Sequence, residues 1–290
     1  MNTSNKMIVI VLALGTFFNS DTSAQSEQKI IVTSPLTMDS IGTDEGVHPG
    51  DLNNSNNYSV TKNIVLVHGA FVDGSGWEPV YNILVKAGYH VSIVQQSLIS
   101  YAGDVAAVKR VLSMQKGPCI LVGHSYGGAI ITAAGNDSQV VGLVYIAAHA
   151  PDNGESESGN GKLYPSAYKS LLKTGDGYDY IDPSRFYPDF AADLSREQGE
   201  FMAHSQMFAA DEIFHAVITN PAWRVKPSWY LVARSDRIIN PDLERMYARR
   251  ANSHIVEIEG ASHSVFASHP KEVAKLIIEA AAHSIQYSEE

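Results

Sequence analysis

The chain has 290 residues, a formal net charge of −10 at pH 7 and a single cysteine. Hydrophobic residues make up 44% of it and charged residues 18%, which is typical of a folded protein with a sizeable core and excludes a disordered or fibrous chain. One cysteine excludes a disulfide scaffold and a multi-thiolate metal site within the chain. The acidic balance disfavours a nucleic-acid partner, because phosphate binding needs clustered Lys and Arg.

The first 24 residues have the pattern of a secretory signal peptide. A polar start with one positive charge, residues 1–6, precedes an almost wholly apolar run, residues 7–18. As a helix, that run is too short to cross the ~30 Å hydrocarbon core of a bilayer. We expect cleavage after Thr22-Ser23-Ala24, export to the periplasm or the medium, and no membrane span in the mature form. The alternative is a buried N-terminal helix.

Residues 25–62 are expected to form a flexible N-terminal tail. This segment is largely polar, with an Asn- and Ser-rich part and no period of 2 or 3.6, so it buries too little apolar surface to offset its ordering entropy. One short apolar stretch, residues 30–32, could add an edge strand to a sheet.

From residue 63 onward, short apolar runs alternate with amphipathic stretches. Runs with apolar residues on both faces are typical of strands buried in a parallel sheet, and they cover residues 63–67, 90–94, 119–122, 140–148, 228–233 and 254–258. Stretches of helical length cover residues 77–87, 104–114 and 270–282, and another begins at Pro241. The alternation predicts an α/β fold with a doubly wound, mostly parallel sheet, whose core is formed by residues 63–150 and 228–290.

Residues 151–227 interrupt this alternation. They contain no buried-strand run, begin with a Gly- and Ser-rich loop and are then rich in Tyr and Phe. The spacing of Phe201, Met202, Met207 and Phe208 is typical of short helices. We expect a helical insertion over the end of the sheet, in which most aromatic residues form the insertion's own core and a few face a cleft.

The residues Gly123-His124-Ser125-Tyr126-Gly127 fit the pattern G-x-S-x-G between a predicted strand and a predicted helix. Such a turn is sharp and presents the serine at the carboxyl end of the strand, and its glycines lie where a Cβ would clash with a neighbouring element. This context predicts that Ser125 is a nucleophile. The alternatives are an ordinary glycine-rich helix start or an anion-binding turn.

A serine nucleophile needs a base and an acid that orients the base. Asp236 follows the predicted strand 228–233, and His263 follows the predicted strand 254–258, so both should lie at the edge that presents Ser125. The order Ser125, Asp236, His263 occurs in known triads. Other acids in this region are Asp211, Asp242 and Glu259, and the other histidines, which we interpret as turn, capping, structural or pocket residues, are His68, His124, His149, His204, His215 and His269.

The sequence predicts no metal site and no cofactor. The histidines lack the spacing of metal ligands, and Asp176, Asp179 and Asp182 lack the glycine and glutamate positions of a calcium loop.

Together, residues 68–71 (His-Gly-Ala-Phe), the glycine-rich turn at Ser125, Asp236 and His263 resemble the α/β-hydrolase superfamily, from about residue 64 to the C-terminus. Residues 68–80 are similar to small serine esterases and to the plant methylesterase and hydroxynitrile lyase branch. The resemblance implies a cap after the sixth strand of the family's core, where residues 151–227 fall. It also implies an oxyanion hole formed by the backbone N–H of Tyr126 and that of Ala70, with Phe71 as the second choice.

Two positions differ from the residues of particular branches of the superfamily, and these differences disfavour the reactions of those branches. The resemblance disfavours hydroxynitrile lyases, which carry Thr where Gly69 stands, and dehalogenases and epoxide hydrolases, which carry Asp where Ser125 stands. We expect a serine hydrolase that cleaves the carboxylic ester of a small, partly apolar molecule through an acyl-enzyme, with substrate contacts from His124, Trp77 and Phe208. The alternatives are lactone or C–C bond hydrolysis or acyl transfer on the same triad, or a non-catalytic ligand receptor.

The signal-peptide assignment predicts that full-length chain expressed in an exporting host is recovered with Gln25 as its first residue. N-terminal sequencing of the exported protein measures this. The variant Ala24→Phe places a bulky residue at the cleavage site and should slow or relocate processing. An exported chain that retains residues 1–24 would contradict the assignment.

Overall fold

A computed structural model describes the backbone of residues 31–33, 58–59, 61–283 and 286–287, and the side chains of residues 61–283. The predicted signal peptide and most of the predicted tail lie outside these residues. In chain order, the strands are β1 (Ile31–Thr33), β2 (Tyr58–Ser59), β3 (Asn63–Val67), β4 (His90–Val94), β5 (Cys119–Ser125), β6 (Val140–Ala148), β7 (Leu171–Lys173), β8 (Tyr178–Ile181), β9 (Ala209–Ala210), β10 (Ser228–Ala233), β11 (His254–Ile258) and β12 (Gln286–Tyr287).

The helices of the described residues surround and cap the main sheet. They are α1 (Glu78–Lys86), α2 (Tyr101–Leu112), α3 (Tyr126–Ala134), α4 (Glu157–Leu163), α5 (Pro183–Phe190), α6 (Arg196–Ser205), α7 (Pro241–Arg250), α8 (Val265–Ser268) and α9 (Pro270–His283). Among them, no helix combines the length and the apolar character needed to cross a membrane.

A seven-stranded sheet forms the centre, in the order β1-β11-β10-β6-β5-β3-β4. Its strands are parallel except β1, which pairs antiparallel with β11. Successive residues of β3 alternate between the two core layers: Ile64 and Leu66 pack on the side of α1 and α9, and Val65 and Val67 pack on the side of α2, α3 and α7. All four are fully buried, as a strand covered on both faces requires. The predicted α/β fold with a doubly wound, mostly parallel sheet is confirmed.

Part of the predicted tail contributes to this sheet. The short apolar stretch noted in the sequence forms β1, and Val32 pairs with Val256 at the sheet's edge. A second antiparallel pair joins β2 to β12, next to the C-terminus.

The segment between β6 and β10 is not purely helical. Besides α4, α5 and α6, it contains a three-stranded antiparallel sheet of β7, β8 and β9. The small sheet is an addition to the helices that the sequence predicts for the cap. The strands are short and differ in burial: β7 is exposed, β8 alternates between buried and half-buried residues, and β9 is buried. They therefore lack the continuous apolar run that marks the central strands.

A buried carboxylate joins three elements below the site. Helix α2 begins at Tyr101, earlier than the predicted residue 104, because the Ser100 side chain accepts a hydrogen bond from the Gly103 N–H. Asp104 is then fully buried within the helix. Its Oδ1 accepts the N–H groups of Ser97 (3.0 Å) and Leu98 (3.2 Å), and its Oδ2 accepts the Tyr126 hydroxyl (3.0 Å).

Asp104→Ala should lower the free energy of unfolding by about 2–4 kcal/mol, because it leaves buried donors unpaired. Tyr126→Phe removes one donor and should lower it by about 1 kcal/mol. Since both changes break the same hydrogen bond, the double variant should be less destabilised than the sum of the two, as measured by denaturant unfolding. Strict additivity would contradict this account.

Candidate active site

Ser125 is the last residue of β5 and has φ 53° and ψ −124°. A positive φ is uncommon for a residue with a side chain, and strain of this kind clusters at functional sites. Helix α3 begins at the next residue, so the chain turns sharply and Ser125 stands at the carboxyl end of a central strand.

Close backbone packing explains the glycines of this turn. A Cβ on Gly123 would lie 2.6 Å from the carbonyl oxygen of Gly127, and a Cβ on Gly127 would lie 2.6 Å from the carbonyl oxygen of His68. Real Cβ atoms do not approach backbone oxygens so closely, so only glycine fits both positions. The predicted clash of side chains with neighbouring elements is therefore present at both glycines.

Ser125, His263 and Asp236 form one hydrogen-bonded chain. The Ser125 hydroxyl lies 2.9 Å from His263 Nε2, and His263 Nδ1 lies 2.5 Å from Asp236 Oδ2. His263 is fully buried, and Ser125 and Asp236 are 6% and 4% exposed. The structure thus brings together the three residues that the sequence singled out, each at the carboxyl end of its own strand.

The backbone after β10 fixes Asp236. Its Oδ1 accepts the N–H groups of Ile238 (2.7 Å) and Ile239 (2.9 Å), which leaves Oδ2 for His263. Glu244 of α7 is buried beside it and accepts the Ala233 N–H at 3.1 Å. Burial, together with the charge of Asp236, raises the pKa of Glu244 well above its usual value, which favours the neutral form of this side chain.

The inserted segment holds the loop that carries His263. The carbonyl oxygen of Phe190, at the end of α5, accepts the Ser264 N–H (3.0 Å) and the Ser262 hydroxyl (3.1 Å). Asp193 accepts the Ser262 N–H at 3.0 Å. The Phe190 ring also contacts the His263 imidazole edge to face, with 4.7 Å between ring centroids. The position of the imidazole therefore depends on the insertion as well as on the core.

His124, beside the nucleophile, supports His263 from the other side. Its Nε2 donates to the His263 carbonyl oxygen at 2.9 Å, and its ring packs against Phe266 at 4.4 Å between centroids. Burial, together with the nearby His263, lowers the pKa of His124 well below its usual value, so His124 is a neutral donor.

A cavity of about 330 Å³ opens next to Ser125, between the carboxyl end of the sheet and the insertion. Its apolar lining comprises Ala70, Phe71, Leu171, Phe214, Ile238, Ile239 and Leu243. Its polar and charged lining comprises Ser125, His149, Glu157, Ser158, Ser166, Tyr168, Lys173, Asp179, Asp211 and His215.

The expected oxyanion-hole residues lie at the Ser125 end of this cavity. Ala70 and Phe71 line it, and Tyr126 is the first residue of α3, where the helix offers no acceptor for the backbone N–H. Phe71 has φ 65°, which marks the loop after β3 as a second strained point beside the nucleophile.

The three expected substrate contacts do not line this cavity. Trp77 is 1% exposed and packs against Phe266 in the core, and His124 is equally buried. Phe208 is 49% exposed and packs against Tyr180 on the small sheet, at 5.0 Å between ring centroids. This corrects the expectation, because proximity in sequence to the nucleophile or to an aromatic cluster does not place a side chain in the cavity.

Two polar residues of the cavity were not among the expected substrate contacts. His149 follows β6, and its backbone N–H donates to the Ser125 carbonyl oxygen at 3.1 Å. Glu157 begins α4 within a stretch that the sequence indicates only as a polar loop, and its side chain is 7% exposed. Position after a central strand could have pointed to His149; no pattern in the sequence distinguishes Glu157 from a surface acid.

In the described part of the chain, no three His, Cys, Asp or Glu side chains are grouped as a metal site would require. The site as described consists of side-chain hydroxyl, imidazole and carboxyl groups and of backbone donors.

Residues 64–276 match the sequence pattern of the alpha/beta hydrolase family, and this range is well over half of the chain. The chain therefore belongs to the alpha/beta hydrolase family, and the resemblance inferred from its motifs is confirmed.

Among curated proteins, a carbendazim hydrolyzing esterase from Nocardioides sp. (strain SG-4G) is 32% identical over a stretch that covers 32% of this chain and 45% of that protein. The match thus spans less than half of the relative's length. Among solved structures, a pyrethroid hydrolase from Sphingobium faniae JZ-2 is 21% identical, with a TM-score of 0.65 over 76% of this chain and 97% of that chain.

Two further solved structures are similar to the same degree. Polyneuridine aldehyde esterase is 18% identical, with a TM-score of 0.63 over 76% of this chain and 98% of that chain. A methylesterase from Arabidopsis is 18% identical, with a TM-score of 0.65 over 76% of this chain and 99% of that chain. At these identities the likeness shows the fold.

Asp193 should make the stability of the protein depend on acid pH. Burial alone would raise the pKa of its carboxyl, but hydrogen bonds from His269, Ser262 and Ser268 outweigh burial and lower the pKa to about 2. A carboxyl whose pKa is lower in the folded chain stabilises the fold above its unfolded pKa, and this contribution is lost as the pH falls towards the folded pKa.

Wild type should therefore exceed Asp193→Asn in free energy of unfolding at about pH 5, and this difference should shrink by about 2 kcal/mol by about pH 2. Denaturant unfolding of both proteins across this range measures it. A difference that does not vary with pH would contradict the assignment.

Proposed function

We propose that this protein is a serine hydrolase that cleaves a carboxylic ester through an acyl-enzyme intermediate. The observation that carries the proposal is the buried chain of hydrogen bonds from the Ser125 hydroxyl to His263 (2.9 Å) and from His263 to Asp236 (2.5 Å). Membership of the alpha/beta hydrolase family and the presence of esterases among the relatives support it.

In the first half of the reaction, His263 Nε2 takes the proton of Ser125 as Oγ attacks the acyl carbonyl carbon. Asp236 holds the imidazole in the tautomer that leaves Nε2 free to accept and stabilises the imidazolium that forms. His263 then gives this proton to the departing alkoxide, which leaves as an alcohol and leaves Ser125 acylated.

In the second half, His263 removes a proton from water, and the resulting attack on the acyl carbonyl releases the acid and restores Ser125. Both tetrahedral intermediates carry negative charge on the former carbonyl oxygen. We assign its stabilisation to the backbone N–H groups of Tyr126 and Ala70, with Phe71 as the second choice. Rigid backbone donors suit this role, since loss of one such donor in other hydrolases typically lowers the rate by ~10²–10³.

The substrate class follows from the cavity beside Ser125. A volume of about 330 Å³ fits a small molecule, and its walls combine aliphatic and aromatic side chains with polar and charged groups. This supports a small, partly apolar ester. Hydrolysis of a lactone and transfer of the acyl group to an acceptor other than water use the same acyl-enzyme, and substrate panels distinguish them from simple ester hydrolysis.

Ser125→Ala should lower kcat/KM for a short p-nitrophenyl ester by at least about 10³-fold, because it removes the nucleophile. The melting temperature should change little. Hydrolysis assays on the folded variant measure this. As a matched control, Ser158→Ala removes another serine hydroxyl of the same cavity and should retain most of the activity.

Labelling with a fluorophosphonate separates this enzyme from a non-catalytic ligand receptor on the same fold. Wild type and Ser158→Ala should be labelled on Ser125, and Ser125→Ala should not be labelled. Folded wild type that neither reacts with the probe nor hydrolyses any ester of the panel would overturn the proposed function and favour the receptor.

A further inference from the structure

Two separate spaces in the protein share one wall residue. Phe71 lines the cavity beside Ser125. It also lines a groove of about 550 Å³ that lies between α6 of the insertion and residues 72–79 of the core. Phe71 is the one described residue that belongs to both linings, so it stands between the nucleophile's cavity and a groove that the proposed mechanism does not use.

The groove offers an apolar surface that solvent reaches. Its apolar lining includes Leu194, Phe201, Met202 and Phe266, and Phe201 is 72% exposed. The residues that α6 contributes to the groove, from residue 197 to residue 205, follow one another at the spacing of a single helix face. The groove thus has the apolar character that would suit a hydrocarbon chain.

The side chain of Phe71 is present in spite of its backbone conformation. Its φ of 65° is one that glycine adopts freely and that is uncommon for a bulky residue. The ring is only 4% exposed and packs against Phe214 of the cavity wall, with 6.0 Å between ring centroids. Phe214 in turn lies 6.0 Å from the ring of Tyr126, the residue after the nucleophile. The loop itself therefore does not require a phenylalanine here, whereas a closed wall beside Ser125 does.

The sizes of the two spaces make this wall important. A volume of about 330 Å³ is near the lower end of the range for small-molecule sites, which is about 300–1,000 Å³. The groove on the other side of Phe71 is larger, at about 550 Å³. Because protein interiors are closely packed, a ring between two spaces limits how far a ligand in one can extend into the other.

We propose that Phe71 is a specificity residue whose ring ends the cavity and restricts the ester to a short group on the side that faces the groove. The groove is then an extension of the cavity that this ring closes off from Ser125. This inference rests on the proposed ester hydrolysis and narrows its substrate class to esters in which one of the two arms, acyl or alkyl, is short.

The test compares wild type with Phe71→Ala and Phe71→Leu in two series of esters. One series lengthens the acyl chain of p-nitrophenyl esters from acetate to octanoate, and the other lengthens the alcohol of acetate esters from ethyl to octyl. Each protein is described by the ratio of kcat/KM for the eight-carbon chain to that for the four-carbon chain. A general loss of activity, such as a displaced backbone at residue 71 would cause, cancels in this ratio.

Phe71→Ala should raise the ratio by at least about tenfold over wild type in one of the two series, which is the effect of about one methylene group in an apolar pocket. Phe71→Leu should raise it less, because Leu keeps much of the bulk of the ring.

Phe201→Asp tests whether the space gained is the groove. A charge in the groove disfavours an apolar chain there, because the chain would strip water from the carboxylate. Phe201→Asp should therefore remove most of the gain in the Phe71→Ala background and leave the ratio of wild type unchanged. As a matched control, Phe208→Asp replaces an exposed aromatic residue that lines neither space and should leave the gain intact.

An unchanged ratio in Phe71→Ala across both series would overturn the inference, as would a gain that Phe201→Asp does not diminish. In either case, hydrolysis of p-nitrophenyl acetate by wild type and fluorophosphonate labelling of Ser125 would leave the proposed function intact. Failure of wild type to hydrolyse any ester would instead reject the proposed function. Should Phe71→Ala fail to fold by its melting curve, Phe71→Gly, which suits a φ of 65°, takes its place.

Discussion

The geometry of the site depends on the close approach of three backbone segments around the turn between β5 and α3. A Cβ on Gly127 would clash with the carbonyl oxygen of His68 after β3, and a Cβ on Gly123 would clash with the backbone of Gly127. A side chain at either position would push α3 away from the sheet. This contact holds Ser125 in its left-handed conformation and keeps the loop after β3, with its expected oxyanion donors, beside the nucleophile.

The rest of the hydrogen-bonded chain is assembled by elements far apart in the sequence. β10 and β11 supply Asp236 and His263, but the loop of His263 is also bound to Phe190 and Asp193 of the insertion. The insertion is thus more than a cover for the cavity. If it moved away as a rigid lid, it would break hydrogen bonds to both neighbours of the catalytic imidazole in the proposed mechanism.

Much of the core and the three residues of the hydrogen-bonded chain could be predicted from the sequence, because their signals are local. A buried parallel strand is an apolar run, and the ends of such runs put Ser125, Asp236 and His263 at one edge. The cavity walls could not be predicted in this way. Which side chains of the insertion face the cavity depends on how the insertion folds over the sheet, so Phe208 packs on the small sheet and Glu157 gave no signal. Trp77 packs in the core instead. The short strands β7–β9 were missed because each is only two to four residues long, too short to give a recognisable apolar run.

The pairing of β1 with β11 has a consequence for the part of the chain that precedes the core. β11 would otherwise present a row of backbone N–H and C=O groups at the margin of a long parallel sheet, which is a template for pairing with another molecule. Through β1, residues 31–33 occupy that margin from within the same chain. A truncated chain beginning at residue 61 would keep every residue of the site but would leave the backbone edge of β11 unpaired. The expected defect of such a truncation is therefore self-association through that edge, and not loss of activity.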